Sequence, residues 1–303
     1  ETAEEIFRVA RETGYLSANA VTKIRLVIFK KNGQILEETP FFQQMIEGIE
    51  EECHRLGYEM VISHVDQRNP NYQKQVRDLL EEQGVGIILL GTEMMDGDLS
   101  LYRNASCPVL LLDHWTESMD FNSVLINNAD AARAITEHLL DNGHREVGYL
   151  RGNYRIKAFR SRFIGFQTAL KKYKVPYKEE YTVTVGTYMS TACQDMLEYL
   201  KKKPKLPTAF FADNDIIALG AMKALQEMGY RIPEDISIVG FDDLTFSEIS
   251  SPPLTTLRVE KREMGKMAVR RLVELIDGIG TSTVTKIQVC PKIIYRNTVK
   301  NIK

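Results

Sequence analysis

Two clusters of carboxylate and amide side chains follow short apolar segments in the second half of the chain. Asp213-Asn214-Asp215 come directly after one apolar run, and Asp242-Asp243 end the next. Ionised carboxylates accept hydrogen bonds from hydroxyl groups, and asparagine side chains both donate and accept. Such side chains suit the hydroxyl and amide arrays of sugars and nucleosides, so we expect Asp242 and Asn214 to bind a small polar molecule. Asn214 could equally cap the following helix, and Asp242 could cap a turn.

The elements around these clusters place both at one edge of a sheet. Residues 208–212 and 236–241 have the apolar composition of short buried strands, and residues 216–228 between them have helical spacing. Two parallel strands need such a crossover helix. Both polar clusters therefore follow the carboxyl ends of neighbouring strands, which is where open α/β sheets bind small molecules.

The same alternation of strands and helices begins at Ile24 and continues along the chain, which predicts an α/β fold with parallel sheets. About ten strands are predicted, roughly twice the number in a typical sheet, so we expect two sheets in two lobes. The break between the lobes is predicted near Ile126-Asn127. The predicted strands are 24–29, 58–64, 85–90, 109–112, 124–126, 146–150, 181–185, 208–212, 236–241 and one or two within 285–295, and the predicted helices are 41–56, 72–83, 129–142, 160–173, 191–201, 216–228 and 261–276.

Charge and composition exclude several classes of protein. The chain has 39 Lys and Arg against 41 Asp and Glu, so a polyanion-binding surface over the whole chain is not expected, although a local patch remains open. No apolar run is long enough to span a bilayer, and no secretory signal is present. The four cysteines lie far apart, which favours reduced thiols in a cytosolic protein. The five histidines form no helical ligand pair, so we expect no metal and no other cofactor.

An enzyme on this fold is not favoured by the motifs. No Gly-x-Gly-x-x-Gly follows a strand, and no phosphate-binding P-loop is present. No nucleophile stands beside a base in a familiar arrangement. Asp113 and Asp242 could form an acid/base pair in principle. We therefore predict that the protein is not an enzyme, and turnover of a bound sugar would contradict this.

Several motifs occur in order over nearly the whole chain, and their sequence resembles that of the lactose-repressor (LacI/GalR) family of bacterial transcription regulators. The resemblance implies a type I periplasmic-binding-protein-like fold, in which two similar doubly wound parallel-sheet lobes are joined by crossover strands. The implied N-terminal lobe comprises 23–126 with 258–289, and the implied C-terminal lobe comprises 127–257 with 290–303. The matching segments are Phe41 to Glu50, Val109 to Asp113, Ser123 to Asn128, Gly143-His144-Arg145, Arg162 to Phe166, Ala212 to Asp215, Pro233 to Asp243 and Pro252 to Thr256.

The first residues resemble the end of the family's helix-turn-helix headpiece. Thr2, Val9, Gly14-Tyr15 and Asn19 are similar to its last helix and exit, so residues 1–22 are expected to be a remnant of a DNA-binding headpiece with a shortened hinge. The helix that would read the major groove is expected before Glu1. Family members usually carry a hinge helix that wedges a leucine into the minor groove, and its shortening leaves the usual kinked-operator mechanism open.

The resemblance also assigns roles to charged residues. It favours a ligand role for Asp242 over a turn cap, and for Arg162 over a solvated surface charge. Arg160 is a weaker candidate, because residues two apart on a helix point in different directions and only one is expected inside. If both arginines faced the ligand, an acidic effector such as a sugar phosphate or a uronate would be favoured.

Further candidates flank the expected ligand in the same resemblance. Asp113 ends a buried strand in the position of a ligand aspartate, although loop chemistry alone would also explain it. Trp115 could stack on a sugar face or pack at the lobe junction, with equal weight. One of Phe41 and Phe42 is expected in the core and the other against the ligand. Tyr188 is similar to an aromatic wall position of the family.

Two other segments have structural interpretations. Asn127-Asn128 lie where the family more often has Asp-Asn, and a hinge role is favoured there over ligand contact. Met45, Ile46 and Ile49 could form a dimer face, but packing on their own sheet is favoured for most of them.

The resulting prediction is a cytoplasmic, homodimeric transcription regulator, a repressor. Its effector domain binds a small sugar or sugar derivative between the lobes, at Asp242 and Arg162, and thereby controls operator DNA binding through the headpiece. The alternative is an exported solute-binding protein of the same fold.

Overall fold

The computed structural model describes residues 5, 8–9, 21–36, 40–278 and 283–303. The predicted headpiece remnant and hinge, 1–22, lie almost wholly outside the described residues. The rest forms two compact units, of which the first holds residues 21–36, 40–125, 260–278 and 283–289, and the second holds residues 126–259 and 290–303.

In the described residues the helices are α1 (Phe41–Arg55), α2 (Tyr72–Glu81), α3 (Asn128–Asp141), α4 (Lys157–Lys172), α5 (Met189–Lys201), α6 (Asp215–Glu227), α7 (Thr245–Ile249) and α8 (Lys261–Ile276). The strands are β1 (Lys23–Lys30), β2 (Glu59–Asp66), β3 (Val85–Leu90), β4 (Val109–Leu112), β5 (Asn122–Ile126), β6 (Val147–Gly152), β7 (Thr182–Val185), β8 (Ala209–Ala212), β9 (Ser237–Val239), β10 (Thr256–Arg258), β11 (Lys286–Val289) and β12 (Lys292–Ile294).

The first unit is built on a six-stranded sheet with the strand order β11-β5-β4-β3-β1-β2. The pairs β1–β2, β1–β3, β3–β4 and β4–β5 are parallel. Strand β3 is buried at every position. A central parallel strand is covered on both faces, which explains why its sequence is apolar throughout instead of alternating.

Helices α1 and α8 of the first unit cross where both carry glycine. A Cβ atom on Gly48 would lie 2.1 Å from the carbonyl oxygen of Arg262, and one on Gly265 would lie 2.3 Å from that of Met45. Only glycine lets the two backbones approach this closely. Met45 and Ile49 are buried in this unit, which agrees with packing on their own sheet.

The second unit has a four-stranded parallel sheet with the order β7-β6-β8-β9. Strands β10 and β12 form a separate antiparallel pair, and single bridges join this pair to the sheet at Val239 and to the following loop at Asp242. Helix α6 is buried on nearly all sides, as its apolar sequence requires. The strand, helix and strand predicted from 208 to 241 are present as β8, α6 and β9.

The predicted α/β fold class with parallel sheets is confirmed, while several local predictions need correction. Helix α4 begins at Lys157, three residues before the predicted start. The one or two strands predicted within 285–295 are present as β11 and β12, and they belong to different units because β11 joins the first sheet and β12 pairs with β10. No described helix is both long and apolar enough to cross a membrane. The chain also forms β10, α7 and a 3-10 helix at Asp96–Tyr102, none of which was predicted.

Candidate functional site

The guanidinium of Arg162 lies at the carboxyl ends of the second unit's strands and is almost fully buried. Its Nε donates to Oδ1 of Asn128 at 2.8 Å, its Nη1 to the carbonyl oxygen of Asp213 at 2.6 Å, and its Nη2 to Oδ1 of Asp242 at 3.3 Å. Its Cζ also lies 3.6 Å from the centre of the Phe241 ring. Residues from three other segments therefore hold one planar cation, which is an arrangement suited to fixed, directional hydrogen bonding.

Asp242 stands in a backbone conformation that L residues rarely adopt, with φ 116°. Its amide donates to the carbonyl oxygen of Leu257 on β10 at 2.9 Å. The next residue, Asp243, has φ 48° and accepts from Nε of Arg258 at 2.6 Å and from Nη2 of Arg296 at 2.7 Å. Such strain persists only where the surroundings impose it, so the loop holds the Asp242 carboxylate in a defined direction.

The side chain of Asp215 stabilises the same loop through hydrogen bonds. Its buried carboxylate accepts from the Leu244 amide at 3.0 Å, from Oγ of Ser247 at 2.6 Å and from Oγ1 of Thr256. Burial and the neighbouring Asp242 raise the pKa of Asp215 to about 7. We therefore assign Asp215 a structural role, in which it holds the conformation of the loop that carries Asp242.

Asn214 caps helix α6, because its Oδ1 accepts from the Ile217 amide at 3.0 Å. The capping interpretation is thus realised. Its Nδ2 has no protein acceptor among the described residues, so it keeps a donor for a ligand. The ligand role of Asn214 stays a prediction.

Asp213 is fully buried and forms a second charged group next to Arg162. Its carboxylate accepts from the Tyr149 hydroxyl, from the Gly152 amide at 2.8 Å and from Nη1 of Arg155. Burial raises the pKa of Asp213, while Arg155 opposes this effect. The sequence analysis placed Asp213 in the polar cluster after β8 without assigning it a role, and it did not single out Arg155; the one available signal for Arg155 was the glycine-containing loop after β6.

Two further predicted residues of the second unit differ in exposure. Arg160 is exposed, while Arg162 on the same helix is buried, so the expectation that only one arginine points inward agrees with the structure. Tyr188 is half-buried at the start of α5, in the loop that follows β7. Oδ1 of Asn128 accepts a hydrogen bond from Arg162, and the hinge role of Asn127-Asn128 stays a prediction.

The first unit contains its own group of candidates, at the carboxyl end of β4. Asp113 has φ 54°, is largely buried, and accepts from Oγ1 of Thr92 at 2.7 Å. Trp115 is 40% exposed, and the Lys286 ammonium lies 4.8 Å from the centre of its ring. One face of the indole therefore already has a cation against it.

Phe41 and Phe42 are both buried at the start of α1, where their rings meet edge to face with centres 5.1 Å apart. The Lys261 ammonium lies 5.3 Å from the centre of the Phe41 ring. The structure does not separate a core ring from a ligand ring. The ligand roles of Asp113, Trp115 and the two phenylalanines stay predictions.

Glu93 is a fully buried carboxylate that the sequence analysis did not identify. It accepts backbone N–H groups of the loop after β1, from Lys31 at 2.8 Å, Gly33 at 2.9 Å and Ile35 at 2.9 Å, together with that of Asn32. Several converging N–H groups neutralise a buried carboxylate without a counter-ion. Glu93 thereby fixes the loop that leads towards α1.

The described residues contain no group of three or more His, Cys, Asp or Glu side chains that could hold a metal ion. In those residues Cys53, Cys107, Cys193 and Cys290 are all free thiols. The chemistry of the described clusters is therefore that of hydrogen bonding by arginine, aspartate and asparagine.

Comparison with known proteins gives consistent matches. A family model described as the periplasmic binding protein-like domain matches residues 136–299. The chain is 30% identical over 306 residues to the HTH-type transcriptional repressor PurR of Mannheimia succiniciproducens, covering 100% of this chain and 91% of that protein. It is 29% identical over 307 residues to PurR of Haemophilus influenzae (strain PittEE), covering 100% and 91%.

Two solved structures are similar to nearly the whole chain. One is the complex of the transcriptional regulator CelR with cellobiose, with a TM-score of 0.81 and 25% identity over 97% of this chain and 90% of that one. The other is the lac repressor dimer bound to operator and the anti-inducer ONPF, with a TM-score of 0.80 and 26% identity over 97% and 98%.

Proposed function

We infer the function of this chain from its family membership, because it belongs to the lactose-repressor (LacI/GalR) family of bacterial transcription regulators. It is a ligand-responsive transcriptional repressor and not an exported solute-binding protein of the same fold. Its relatives are repressors and not enzymes, and we propose that this chain also has no catalytic activity. The cytoplasm, where operator DNA is found, is its proposed location.

The proposed effector is a carbohydrate held at Arg162 and Asp242. The observation that carries this proposal is the buried Arg162 guanidinium, which is held by Asn128, Asp213 and Asp242 at the carboxyl ends of parallel strands. A fixed guanidinium and a fixed carboxylate offer donors and acceptors to neighbouring hydroxyl groups. The similarity to a regulator solved with cellobiose supports the same class of ligand.

Other predicted residues are proposed to assist. Asn214 retains a donor on Nδ2, and Tyr188 follows β7 at the same edge of the sheet. Asp113, Trp115 and one of Phe41 and Phe42 are proposed as contacts from the first unit, on the strength of the family resemblance. Arg160 is not retained, since its side chain is exposed.

The proposed partners are operator DNA, bound through a helix-turn-helix headpiece, and a second copy of the chain. A two-fold dimer places two headpieces over two half-sites, and the structurally similar lac repressor is a dimer on its operator. The bound sugar must have different affinities for the DNA-competent and incompetent states, because otherwise it shifts neither.

The test of the effector proposal is calorimetry and thermal shift with a panel of sugars, sugar acids and nucleosides that includes ribose and cellobiose. We expect a sugar to bind the wild-type protein, and Asp242→Asn to weaken it by roughly tenfold to hundredfold, as for loss of a hydrogen bond to a charged group. Asp235→Asn is the matched control, because Asp235 also pairs with an arginine, Arg231, but on the exposed surface. Equal binding by both variants, or binding of nucleosides alone, would reject the carbohydrate site.

A further inference from the structure

The carboxylate of Asp243, the residue that follows the proposed ligand residue Asp242, is held by two arginines. Its Oδ2 accepts from Nε of Arg258 at 2.6 Å, and its Oδ1 accepts from Nη2 of Arg296 at 2.7 Å. The side chain of Asp243 is 7% exposed, so these bonds are largely shielded from water. Short charge-assisted hydrogen bonds on both oxygens fix the position and the direction of a carboxylate.

Arg296 gives this carboxylate a rigid support. Its backbone amide donates to Oγ1 of Thr255 at 2.9 Å, and its Nη1 donates to the carbonyl oxygen of Leu254 at 2.9 Å. Its side chain is 11% exposed. Because the guanidinium is planar, the bond from one of its nitrogens to Leu254 also sets the direction of the nitrogen that binds Asp243.

The two arginines stand at opposite ends of the antiparallel pair of strands β10 and β12. Arg258 is the last residue of β10 and lies opposite Lys292, the first residue of β12. Arg296 follows the end of β12, so Asp243 links both ends of the pair. The chain leaves the second unit after residue 259, next to Arg258, and returns to it at residue 290, shortly before Lys292. The Arg258 end of the pair therefore adjoins both crossings.

The backbone joins Asp242 firmly to Asp243. Both residues have positive φ values, 116° and 48°, and such strain persists only where the surroundings impose it. The Asp242 amide also donates to the carbonyl oxygen of Leu257 on β10 at 2.9 Å. The Asp242 carboxylate, in contrast, accepts from Nη2 of Arg162 at 3.3 Å, the longest of the three hydrogen bonds of Arg162. A bound sugar rearranges this long bond first, and the constrained backbone transmits the change to Asp243.

We propose that Asp243 is a positioning residue that couples the effector site to operator binding. It does not bind the sugar itself, but it transmits the change at Asp242 to the pair of strands β10 and β12, beside which the chain crosses to the first unit. Coupling between two sites needs an element whose state both sites influence, and this pair of strands is that element. The inference rests on the proposed function, because it concerns the response to the same effector.

The experiment uses the full-length repressor, headpiece included, with ribose, glucose and cellobiose as probes. Calorimetry measures the sugar dissociation constant, and fluorescence anisotropy measures the operator dissociation constant without sugar and with saturating sugar. The ratio of these two operator constants is the coupling factor, and at saturation it does not depend on how tightly the sugar binds.

Asp243→Asn keeps the shape of the side chain but removes the charge that both arginines bind. The coupling factor should be at least about fivefold in the wild type and should fall to within about twofold of unity in Asp243→Asn. The operator affinity without sugar should stay as in the wild type. Asp235→Asn is the matched control, because Asp235 also pairs with an arginine, Arg231, but on the exposed surface of the same unit, and it should keep the full coupling factor.

Arg258→Met removes one partner of Asp243 from a side chain that is 47% exposed, and it should also reduce the coupling factor. The double variant with Asp243→Asn should lose no more coupling than Asp243→Asn alone, because Arg258 acts through Asp243. Circular dichroism shows whether Asp243→Asn is folded, and Arg258→Met provides the test if it is not.

The outcomes distinguish this inference from the proposed function. If Asp243→Asn keeps the coupling factor of the wild type, the inference is wrong and the proposed function stands, even where the sugar binds this variant more weakly. Loss of operator binding by Asp243→Asn without sugar would show a general structural role and would also reject the inference. If none of the three sugars changes the operator affinity of the wild type, the proposed carbohydrate function fails and this inference fails with it.

Discussion

At the scale of single residues, the second unit depends on buried charges that are each held by several hydrogen bonds. Arg162 binds Asn128, Asp213 and Asp242, and Asp215 holds the loop behind Asp242. Removing one member of a buried pair leaves the other without a partner, whereas removing both does not. This asymmetry makes the pair Arg162–Asp242 testable.

Arg162→Met is expected to lower the free energy of unfolding by about 3 kcal/mol or more, because Asp242 is then buried without its cation. The double variant Arg162→Met with Asp242→Asn should recover part of this loss, since no carboxylate remains unpaired. Urea unfolding of the two single variants and the double variant measures the coupling. Losses that simply add would show that the two side chains do not interact.

The raised pKa of Asp215 gives a dependence on pH with a definite sign. Its folded-state pKa of about 7 lies above the ordinary value of 3.8, so its contribution to stability is full below pH about 4 and is lost as the pH rises to about 7. The wild type should therefore lose stability relative to Asp215→Asn over this interval, by at most about 4 kcal/mol. Unfolding curves of both proteins at several pH values measure this difference, and a difference that stays constant or grows in favour of the wild type would contradict it.

At the scale of the elements, both units use glycine where helices cross. Gly48 and Gly265 join α1 to α8, and Gly165 on α4 lies against the backbone of Ala129 on α3. In each case an added Cβ would meet a carbonyl oxygen at a distance that real contacts do not reach. The helix pairs are therefore fixed by backbone contact as well as by apolar side chains.

Gly48→Ala and Gly165→Ala are each expected to destabilise the protein by roughly 1–3 kcal/mol, because the helices must move apart. Gly97→Ala is the control, since nothing lies within 4 Å of its added Cβ. Chemical denaturation of the three variants measures their free energies of unfolding. A loss for Gly97→Ala equal to the others would remove the steric explanation.

The conformation of the loop after β1 is expected to depend on the hydrogen bonds that Glu93 accepts. In Glu93→Gln the amide keeps one acceptor oxygen and turns a donor towards the backbone N–H groups that the carboxylate accepted, which should cost about 1–3 kcal/mol. Hydrogen exchange should become faster at the amides of Lys31, Gly33 and Ile35, while amides in β3 should be protected as before. Unchanged exchange at the loop would show that Glu93 does not hold it.

Many of these helices and strands could be predicted from the sequence because their formation depends on interactions between neighbouring residues. The apolar run of β3 and the glycines after α1 and α6 mark elements whose ends depend on neighbouring residues. The polar residues after β8 and β9 were predicted as a site because parallel strands bring their carboxyl ends together. Asp242 was predicted as a ligand residue from this pattern together with the family resemblance, and Arg162 was predicted from the family resemblance.

Other features could not be predicted because they depend on contacts distant in sequence. Glu93 binds a loop about sixty residues earlier, and Arg155 is held by Asp213 from the next strand of the sheet. An isolated glutamate or arginine is usually a solvated surface residue, so nothing local distinguished them. Helix α4 starts at Lys157, directly after Ile156, whose backbone is extended. The side chain of Ile156 forms no cap, so no capping residue marked this start in the sequence.

At the scale of the whole molecule, the chain crosses between its two units after residues 125, 259 and 289. The last two crossings adjoin β10 and β12, which pair with each other. Asp243, next to Asp242, binds Arg258 at the end of β10 and Arg296 just after β12. The loop that carries the proposed ligand aspartate is therefore tied to residues that adjoin the last two of these crossings.

The central claim is that a sugar held at Arg162 and Asp242 controls binding to operator DNA. Fluorescence anisotropy with the full-length repressor, headpiece included, measures this directly on an operator selected from random DNA. The sugar identified by calorimetry should change the operator dissociation constant of the wild type by at least about fivefold, the lower range of typical allosteric coupling of about 1–3 kcal/mol. In Asp242→Asn the operator should still bind and the response to the same sugar concentration should be lost. A sugar that binds the wild type tightly without changing its operator affinity, or an unaltered response in Asp242→Asn, would contradict the account.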